Sequence, residues 1–183
     1  MWPERVRASA RAAGEDLSEA VMYYVVLSLL LSCASVGPVN VLPTISDARS
    51  HIGTDRGRLL ARLSLPDSAL QSGDYGPSVG LEVAYAPERS PARFYLQDGE
   101  VVLAYLSAPA VDGITPEALA AAHPAAVELP SRAGKAFAHH VDASAGLAWS
   151  DDGTEVAFIE VFPPMELSVW KARFYEAPGT FYK

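Results

Sequence analysis

Two stretches of the sequence decide the fold that it predicts, residues 92–106 (ARFYLQDGEVVLAYL) and residues 147–162 (LAWSDDGTEVAFIEVF). Each stretch carries β-branched and aromatic residues on both sides of an aspartate-glycine pair, at positions 98–99 and 152–153. Aspartate and glycine tolerate the positive φ angles of a tight hairpin turn. Both stretches therefore predict two antiparallel strands joined by a short turn.

A helix is predicted ahead of each hairpin. The first helix has Thr54 as a candidate N-cap, presents leucines on one face, and cannot continue past Pro66. The second helix starts at Thr115 and Pro116, which place a capping residue before a proline at the first helical position. The order of elements is therefore the same in both halves of the chain.

This repetition predicts an α+β fold made of two tandem helix-plus-antiparallel-sheet units with a period of about 60 residues. The first unit covers residues 47–110 and the second covers residues 111–183. The second unit ends in an amphipathic helix with Leu167, Trp170 and Phe174 on one side, which we expect to pack on the rest of the fold.

The N-terminal region has a long segment without charge. No charged residue occurs from position 20 to position 46, and the apolar centre of this segment, residues 21–31, is 11 residues long. A membrane-spanning helix needs about 20 apolar residues, whereas a signal-peptide core needs roughly 7–15. We therefore assign residues 1–36 to a signal peptide or membrane anchor and residues 37–46 to a tether.

The single cysteine of the chain follows this apolar run. The motif Leu30-Leu31-Ser32-Cys33 resembles the lipobox of bacterial lipoproteins, and that resemblance implies lipid attachment at Cys33 after cleavage. Acidic residues within the first 20 positions do not fit a signal peptide, which should begin net positive, and a start at Met22 would remove them. A secretory signal, an uncleaved anchor and a buried helix of the folded part remain open alternatives.

Residues 52–67 and 94–102 carry a second resemblance. The pattern Ile-Gly-Thr-x-Arg-x-x-Leu-Leu, its following Pro-Asp, and the strand sequence FYLQDGEVV are similar to the small bacterial outer-membrane lipoproteins of the SmpA/OmlA type. A tandem copy of such a unit is similar to the β-lactamase inhibitor proteins. The resemblance implies a helix pair against a curved antiparallel sheet, a periplasmic or surface location, and protein binding rather than catalysis.

Charge and cysteine content exclude several classes of function. The chain has 14 basic and 22 acidic residues and a formal net charge of −8, so it repels the phosphate backbone of a nucleic acid. One cysteine cannot form an internal disulfide or a multi-thiolate zinc site. We predict no nucleic-acid partner and no cofactor.

The run His139-His140-Val141-Asp142 is the only cluster with metal-ligand residue types. In a strand, His140 and Asp142 would share a side and His139 would lie on the other, so at most two ligands converge. A third ligand could come from His123, Asp151 or Asp152, but the sequence does not place any of these residues beside the other two ligands. We therefore expect a solvated loop and no metal.

The sequence contains no Gly-x-Ser-x-Gly motif, and the acidic residues around Gly153 have the composition of an exposed turn. We therefore predict no enzyme. A small envelope hydrolase is kept as a third class, which would need histidine and carboxylate side chains to converge in a cleft.

Aromatic side chains on the predicted strands are the best candidates for a binding surface. We expect Tyr95, Tyr105 and Trp149 to be partly exposed on the concave face of the sheet, since such rings offer contact area while their polar tips stay in water. The predicted function is that of a bacterial envelope lipoprotein, lipid-anchored and facing the periplasm, that binds or scaffolds an unknown envelope protein without catalysis. The alternative is a secreted or periplasmic enzyme inhibitor that uses the same sheet face.

Overall fold

The computed structural model of the chain describes residues 41–86 and 92–175, and these residues form an α+β fold. The predicted anchor region at residues 1–36, with Cys33, lies outside the described residues. The described α-helices are α1 (Val41–His51), α2 (Arg56–Leu63), α3 (Pro116–Ala122) and α4 (Leu167–Phe174), and a 3-10 turn covers Asp67–Ala69. The described strands are β1 (Leu70–Tyr75), β2 (Ser78–Ala86), β3 (Ala92–Gln97), β4 (Glu100–Ser107), β5 (Val127–Pro130), β6 (Ala138–Asp142), β7 (Leu147–Asp151) and β8 (Val156–Val161).

The eight strands form one antiparallel sheet in the order β1-β2-β3-β4-β8-β7-β6-β5. Both predicted hairpins are confirmed. Asp98 and Gly99 have φ angles of 52° and 80° in the turn between β3 and β4, and Gly153 has a φ angle of 87° between β7 and β8. Strand β4 pairs with β8, so the two halves of the chain share a continuous sheet.

The start of α3 is confirmed, whereas the predicted cap of α2 is wrong by one residue. The hydroxyl of Thr115 accepts a hydrogen bond from the Ala118 amide at 3.2 Å, with Pro116 in the first turn. At α2 the N-cap is Asp55, whose carboxylate accepts from the Arg58 amide at 3.0 Å. Threonine and aspartate are both favoured N-cap residues, so the sequence alone did not show which of these two neighbours caps the helix.

Helix α1 corrects the predicted tether, because residues 41–46 are helical. Pro43 lies in the first turn, where the missing N–H costs no intrahelical hydrogen bond. Ile45 and Ala48 are buried in the core. The guanidinium of Arg49 donates to the carbonyl of Ala145 at 2.9 Å, so α1 is an integral part of the fold.

Helices cover both faces of the sheet. Helices α1, α2 and α3 pack on one side, which we call the three-helix face, through Ile45, Leu59 and Leu119. Helix α4 packs on the opposite side, the α4 face, where Trp170 and Phe174 are fully buried. The predicted packing of the C-terminal helix is confirmed. None of the helices in the described part of the chain has both the length and the apolar character to cross a bilayer.

Candidate binding site on the α4 face

A row of four side chains crosses the sheet on the α4 face. Tyr85 on β2 is opposite Arg93 on β3, Arg93 is opposite Tyr105 on β4, and Tyr105 is opposite Glu160 on β8. Residues directly opposite each other in antiparallel strands point to the same side of the sheet. The backbone therefore fixes the order of an aromatic ring, a cation, a second ring and a carboxylate.

The carboxylate of Glu160 is fully buried, with 0% of its side chain exposed. Arg132, which follows β5, donates from Nη2 to Glu160 Oε1 at 2.8 Å. The hydroxyl of Tyr75 donates to the same carboxylate oxygen and accepts from Arg132 Nη2 at 3.0 Å. The three side chains form a hydrogen-bonded cluster around Glu160 Oε1, whereas Glu160 Oε2 is buried without a hydrogen-bond partner among the described residues.

Burial and mutual contact shift the pKa values in this cluster. Burial raises the pKa of Glu160, and the charge of Arg132 offsets part of that increase. Burial and then the negative charge of Glu160 raise the pKa of Tyr75 well above its usual value. For Arg132, burial acts to lower the pKa, but Tyr75 and Glu160 raise it above its ordinary value. The guanidinium is therefore held as a permanent cation.

A pocket of about 420 Å³ lies above this cluster. Its lining includes the side chains Tyr75, Arg93, Tyr95, Tyr105, Arg132 and Phe158. The Arg132 guanidinium carbon lies 4.7 Å from the centre of the Tyr75 ring, and that of Arg93 lies 6.0 Å from the centre of the Tyr105 ring. Phe158 stacks on Tyr105 with ring centres 5.1 Å apart. The pocket thus has aromatic walls and two cationic groups.

A second pocket of about 360 Å³ adjoins the first and shares Arg93 and Tyr95 with it. Tyr85, which is 44% exposed, lines this second pocket, and Asp74 lies in its wall. The two pockets therefore continue each other across strands β1 to β4 and β8.

Two of the three predicted surface aromatics line this site, and one does not. Tyr105 is half-buried, as expected, and lines the larger pocket. Tyr95 lines both pockets, but it is only 5% exposed, so its expected exposure is wrong. Trp149 is 1% exposed and packs in the core of the three-helix face, so its prediction is wrong in both exposure and face.

The register of β7 explains the position of Trp149. Trp149 is opposite Ile159 on β8, the neighbour of Glu160 along the strand. Because successive side chains of a strand point to opposite faces, Trp149 lies on the side away from Glu160 and Tyr105.

Two histidine-carboxylate pairs flank Trp149 on the three-helix face. His123 Nδ1 lies 3.1 Å from Asp142, and His140 Nε2 lies 3.3 Å from Asp151. The His140 ring stacks on the indole with ring centres 5.0 Å apart. The indole N–H donates to Asp151 at 2.9 Å, so Asp151 is a buried structural acceptor and not the exposed turn residue that we expected.

One of these pairs has a serine beside it, and both consist of residue types that can bind metal ions. Ser144 donates its hydroxyl to the carboxylate of Asp142 at 2.8 Å, and the contact is not to a histidine nitrogen. In a serine hydrolase, by contrast, the serine hydroxyl donates its hydrogen bond to a histidine nitrogen, which takes up the proton. Within residues 41–86 and 92–175, no group of three or more histidine, cysteine or acidic side chains is arranged to hold a metal ion.

His139 lies on the opposite side of β6 from His140, as strand alternation predicts. The whole run from His139 to Asp142 lies in strand β6, and His139, Val141 and Asp142 are buried, so the expected solvated loop is wrong. The His139 ring stacks on Trp170 with ring centres 5.6 Å apart. Burial, with further contributions from Arg132 and His140, lowers the pKa of His139 to about 3.

Sequence reasoning missed Glu160, Arg132 and Tyr75 as site residues. One signal for Glu160 was present, because it lies in the strand sequence Phe158-Ile159-Glu160-Val161-Phe162, whose other members are all apolar. An acidic residue between apolar neighbours on both faces of a strand indicates a buried carboxylate that needs a cation. The partner Arg132 lies 28 positions away in a segment between strands, where no local pattern marks it.

No protein-family model matches the chain, and no curated protein matches it. Among solved structures, a match is found to an extracellular protein containing a SCP domain from Bacillus anthracis. The sequence identity is 18%, and the TM-score is 0.38 over 62% of this chain and 44% of that chain. The match therefore spans less than half of the solved protein.

Proposed function

We propose that this chain is a lipid-anchored, non-enzymatic binding protein of the bacterial envelope that takes a protein partner on the α4 face. The observation that carries the proposal is the pocket between Arg93 and Arg132, with its tyrosine and phenylalanine walls. Aromatic residues and arginine are the types enriched at protein interfaces, where they supply contact area and charged hydrogen bonds. The backbone of five paired strands fixes this surface, which favours binding with little loss of conformational entropy.

The envelope location and the anchor rest on the sequence. The apolar run at residues 21–31 and the lone Cys33 after it support lipid attachment at that cysteine. More than one acyl chain at the same residue would hold the protein stably on a bilayer. The sheet would then be presented to the periplasm from a membrane surface.

We further propose that the two halves of the chain are tandem units like those of the β-lactamase inhibitor proteins. The strand order supports this, because four consecutive strands, β1 to β4, lie beside four others, β5 to β8, with the last strand of each set in contact. A helix precedes each set of four strands. Such a tandem arrangement makes one broad sheet that can serve as a binding surface.

A photo-crosslinking residue in place of Tyr85 tests the binding face in cells. Tyr85 is exposed beside the pocket, and the crosslinker should capture one discrete envelope protein there. The matched control carries the crosslinker at Arg58, which is exposed on α2 at the three-helix face. The same adducts from both positions, or none from Tyr85, would refute the proposed face. If the captured protein is an enzyme that the chain inhibits, the inhibitor alternative replaces the scaffold function.

The anchor has a separate test. Cys33→Ala should abolish metabolic labelling with a fatty acid and move the protein from the membrane to the soluble fraction. Mass spectrometry of the wild-type N-terminus should show an acylated Cys33 as the first residue. An unmodified cysteine within a longer chain would contradict the lipid anchor without touching the binding face.

A further inference from the structure

We infer that the pocket between Arg93 and Arg132 is a receptor for a carboxylate side chain in an acidic peptide segment of the partner. This inference deepens the proposed function and rests on it, because it names the chemistry by which the α4 face recognises a protein.

The charge of the pocket is opposite to that of the whole chain. The protein has a formal net charge of −8, yet the described residues that line this pocket include two arginines and no acidic residue. Glu160 lies beneath the lining and balances Arg132. Within the described ranges no carboxylate forms a salt bridge with Arg93. The first pocket therefore keeps one net positive charge for an incoming anion, while Asp74 in the wall of the adjoining pocket is acidic.

The guanidinium of Arg132 is oriented before any ligand arrives. It is 20% exposed, and its contacts to Glu160 and Tyr75 fix the plane of the group. A guanidinium has five N–H donors on three nitrogens, and the hydrogen bonds to described residues use Nη2 alone. Its remaining donors match the paired oxygens of a carboxylate, which planar guanidinium groups bind in a bidentate manner.

Glu160 is a positioning residue in this arrangement. It has no exposed surface and does not line the pocket, so it cannot reach a ligand. It balances the charge of Arg132, which would otherwise be buried in large part without an anion. This division of roles explains why a protein would retain a costly buried carboxylate at this place.

The aromatic walls strengthen the interaction of the arginines with an anion. Tyr95, Tyr105 and Phe158 give the pocket apolar sides, and a charge-assisted hydrogen bond is stronger beside such low-dielectric surface than in bulk water. Burial and the nearby Glu160 also raise the pKa of Tyr105. A tyrosine is protonated at neutral pH even without this shift, so the Tyr105 hydroxyl can donate a further hydrogen bond to a carboxylate.

The extension of the site favours a peptide over a free small carboxylate. The larger pocket, of about 420 Å³, continues into the second pocket through Arg93 and Tyr95. Residues next to the bound acidic side chain can therefore lie over Tyr85. A free carboxylate would fill the first pocket and leave the second empty.

Nuclear magnetic resonance of the full chain, labelled with ¹⁵N-arginine and held in detergent micelles, tests this inference. The probe is hexaglutamate with blocked ends, and the neutral control peptide is hexaglutamine. We expect hexaglutamate to shift the side-chain signals of Arg93 and Arg132 in a saturable manner and to leave that of Arg58 unchanged. Hexaglutamine should shift none of them. Equal shifts with both peptides, or an equal response of Arg58, would overturn the inference.

The variants Arg93→Gln and Arg58→Gln form a matched pair, since both remove an exposed arginine. Arg93→Gln should raise the dissociation constant of hexaglutamate about tenfold, which corresponds to about 1.4 kcal/mol. Arg58→Gln should leave it unchanged, and equal constants for the two variants would refute the site. If N-acetylglutamate binds as tightly as hexaglutamate, the occupant is a free carboxylate and the peptide assignment is wrong.

The two experiments separate the inference from the function on which it rests. Capture of a partner at Tyr85 together with no response to hexaglutamate would leave the binding function standing and reject the carboxylate receptor. A specific response to hexaglutamate without capture at Tyr85 would reject the protein-binding function and keep the carboxylate site.

Discussion

Arg132 Nη2 and Glu160 Oε1 lie 2.8 Å apart in an ion pair. The side chain of Glu160 has no exposed surface, and that of Arg132 is 20% exposed. The pair joins the segment after β5 to strand β8, and it supports one wall of the pocket on the α4 face. Breaking a buried pair by removing one member leaves a charge without compensation, whereas removing both members often costs little.

Arg132→Met should therefore lower the free energy of unfolding by about 3 kcal/mol. The double variant with Glu160→Leu should recover most of that loss, because no buried charge is left. Chemical unfolding in urea measures both, with Arg58→Met as the control, which should stay within about 0.5 kcal/mol of the wild type. A double variant less stable than Arg132→Met would show that the pair is a net source of stability.

The buried His139 should make the protein sensitive to acid. Its pKa is lowered to about 3 in the folded state, while an unfolded histidine has a pKa of about 6.5. The unfolded chain therefore binds the proton first, so stability is full above pH 6.5 and is lost as the pH falls from 6.5 toward 3.

Urea unfolding at pH 7 and at pH 4.5 should accordingly differ by on the order of 2 kcal/mol from this group alone. His139→Phe keeps the aromatic stacking and should reduce that difference, whereas His140→Gln, on the other side of the strand, should retain it. An unchanged difference in His139→Phe would assign the acid sensitivity to other groups.

Gly76 couples the β1–β2 turn to helix α4. Its φ angle is +56°, and an added Cβ would lie 2.7 Å from the carbonyl carbon of Phe174 and closer still to the carbonyl oxygen. Gly153 also has a positive φ angle, but no heavy atom lies within 4 Å of the corresponding position. Gly153→Ala should therefore cost about 1 kcal/mol from backbone strain alone.

Gly76→Ala should cost at least twice as much in the same unfolding measurement, because α4 must also move. The fluorescence of the three tryptophans should change in this variant, since one of them, Trp170, lies on α4 and is buried against the sheet. Equal costs for the two glycine variants would mean that α4 adapts to the turn without loss.

Adjacent residues of α4 offer a direct measure of its packing. Trp170 is fully buried against the sheet, and Val169 is 51% exposed. Trp170→Ala should lower the free energy of unfolding by about 3–5 kcal/mol through loss of packing, and Val169→Ala should change it by less than about 0.5 kcal/mol. A small effect at Trp170 would indicate that α4 contributes little to the stability of the sheet.

Features set by a few neighbouring residues could be predicted from the sequence. The Asp98-Gly99 turn, the start of α3 at Thr115 and the amphipathic α4 are each determined within about one turn of chain. Helix α1 was missed because Pro43 suggests a tether, although a proline in the first helical turn breaks no hydrogen bond. The burial of Ile45 in the core stabilises helix α1, and that burial depends on distant parts of the chain.

The site itself could be predicted only in part. Tyr105 and Tyr95 were identified because tyrosines on a strand are good candidates for contact. Trp149 was misplaced because the face of a strand residue depends on which partner strand it meets and in which register. Arg132 carried no local signal at all.

The amino-acid order alone determined the local elements of this protein, namely its turns, most of its helix starts and the apolar run before Cys33, because these follow from the conformational preferences of short segments. Only the tertiary structure decided that Tyr75, Arg132 and Glu160 meet under one pocket. The physical reason is that a buried charge must be compensated where it lies in space, and segments far apart in the chain supply that compensation only after the sheet has formed.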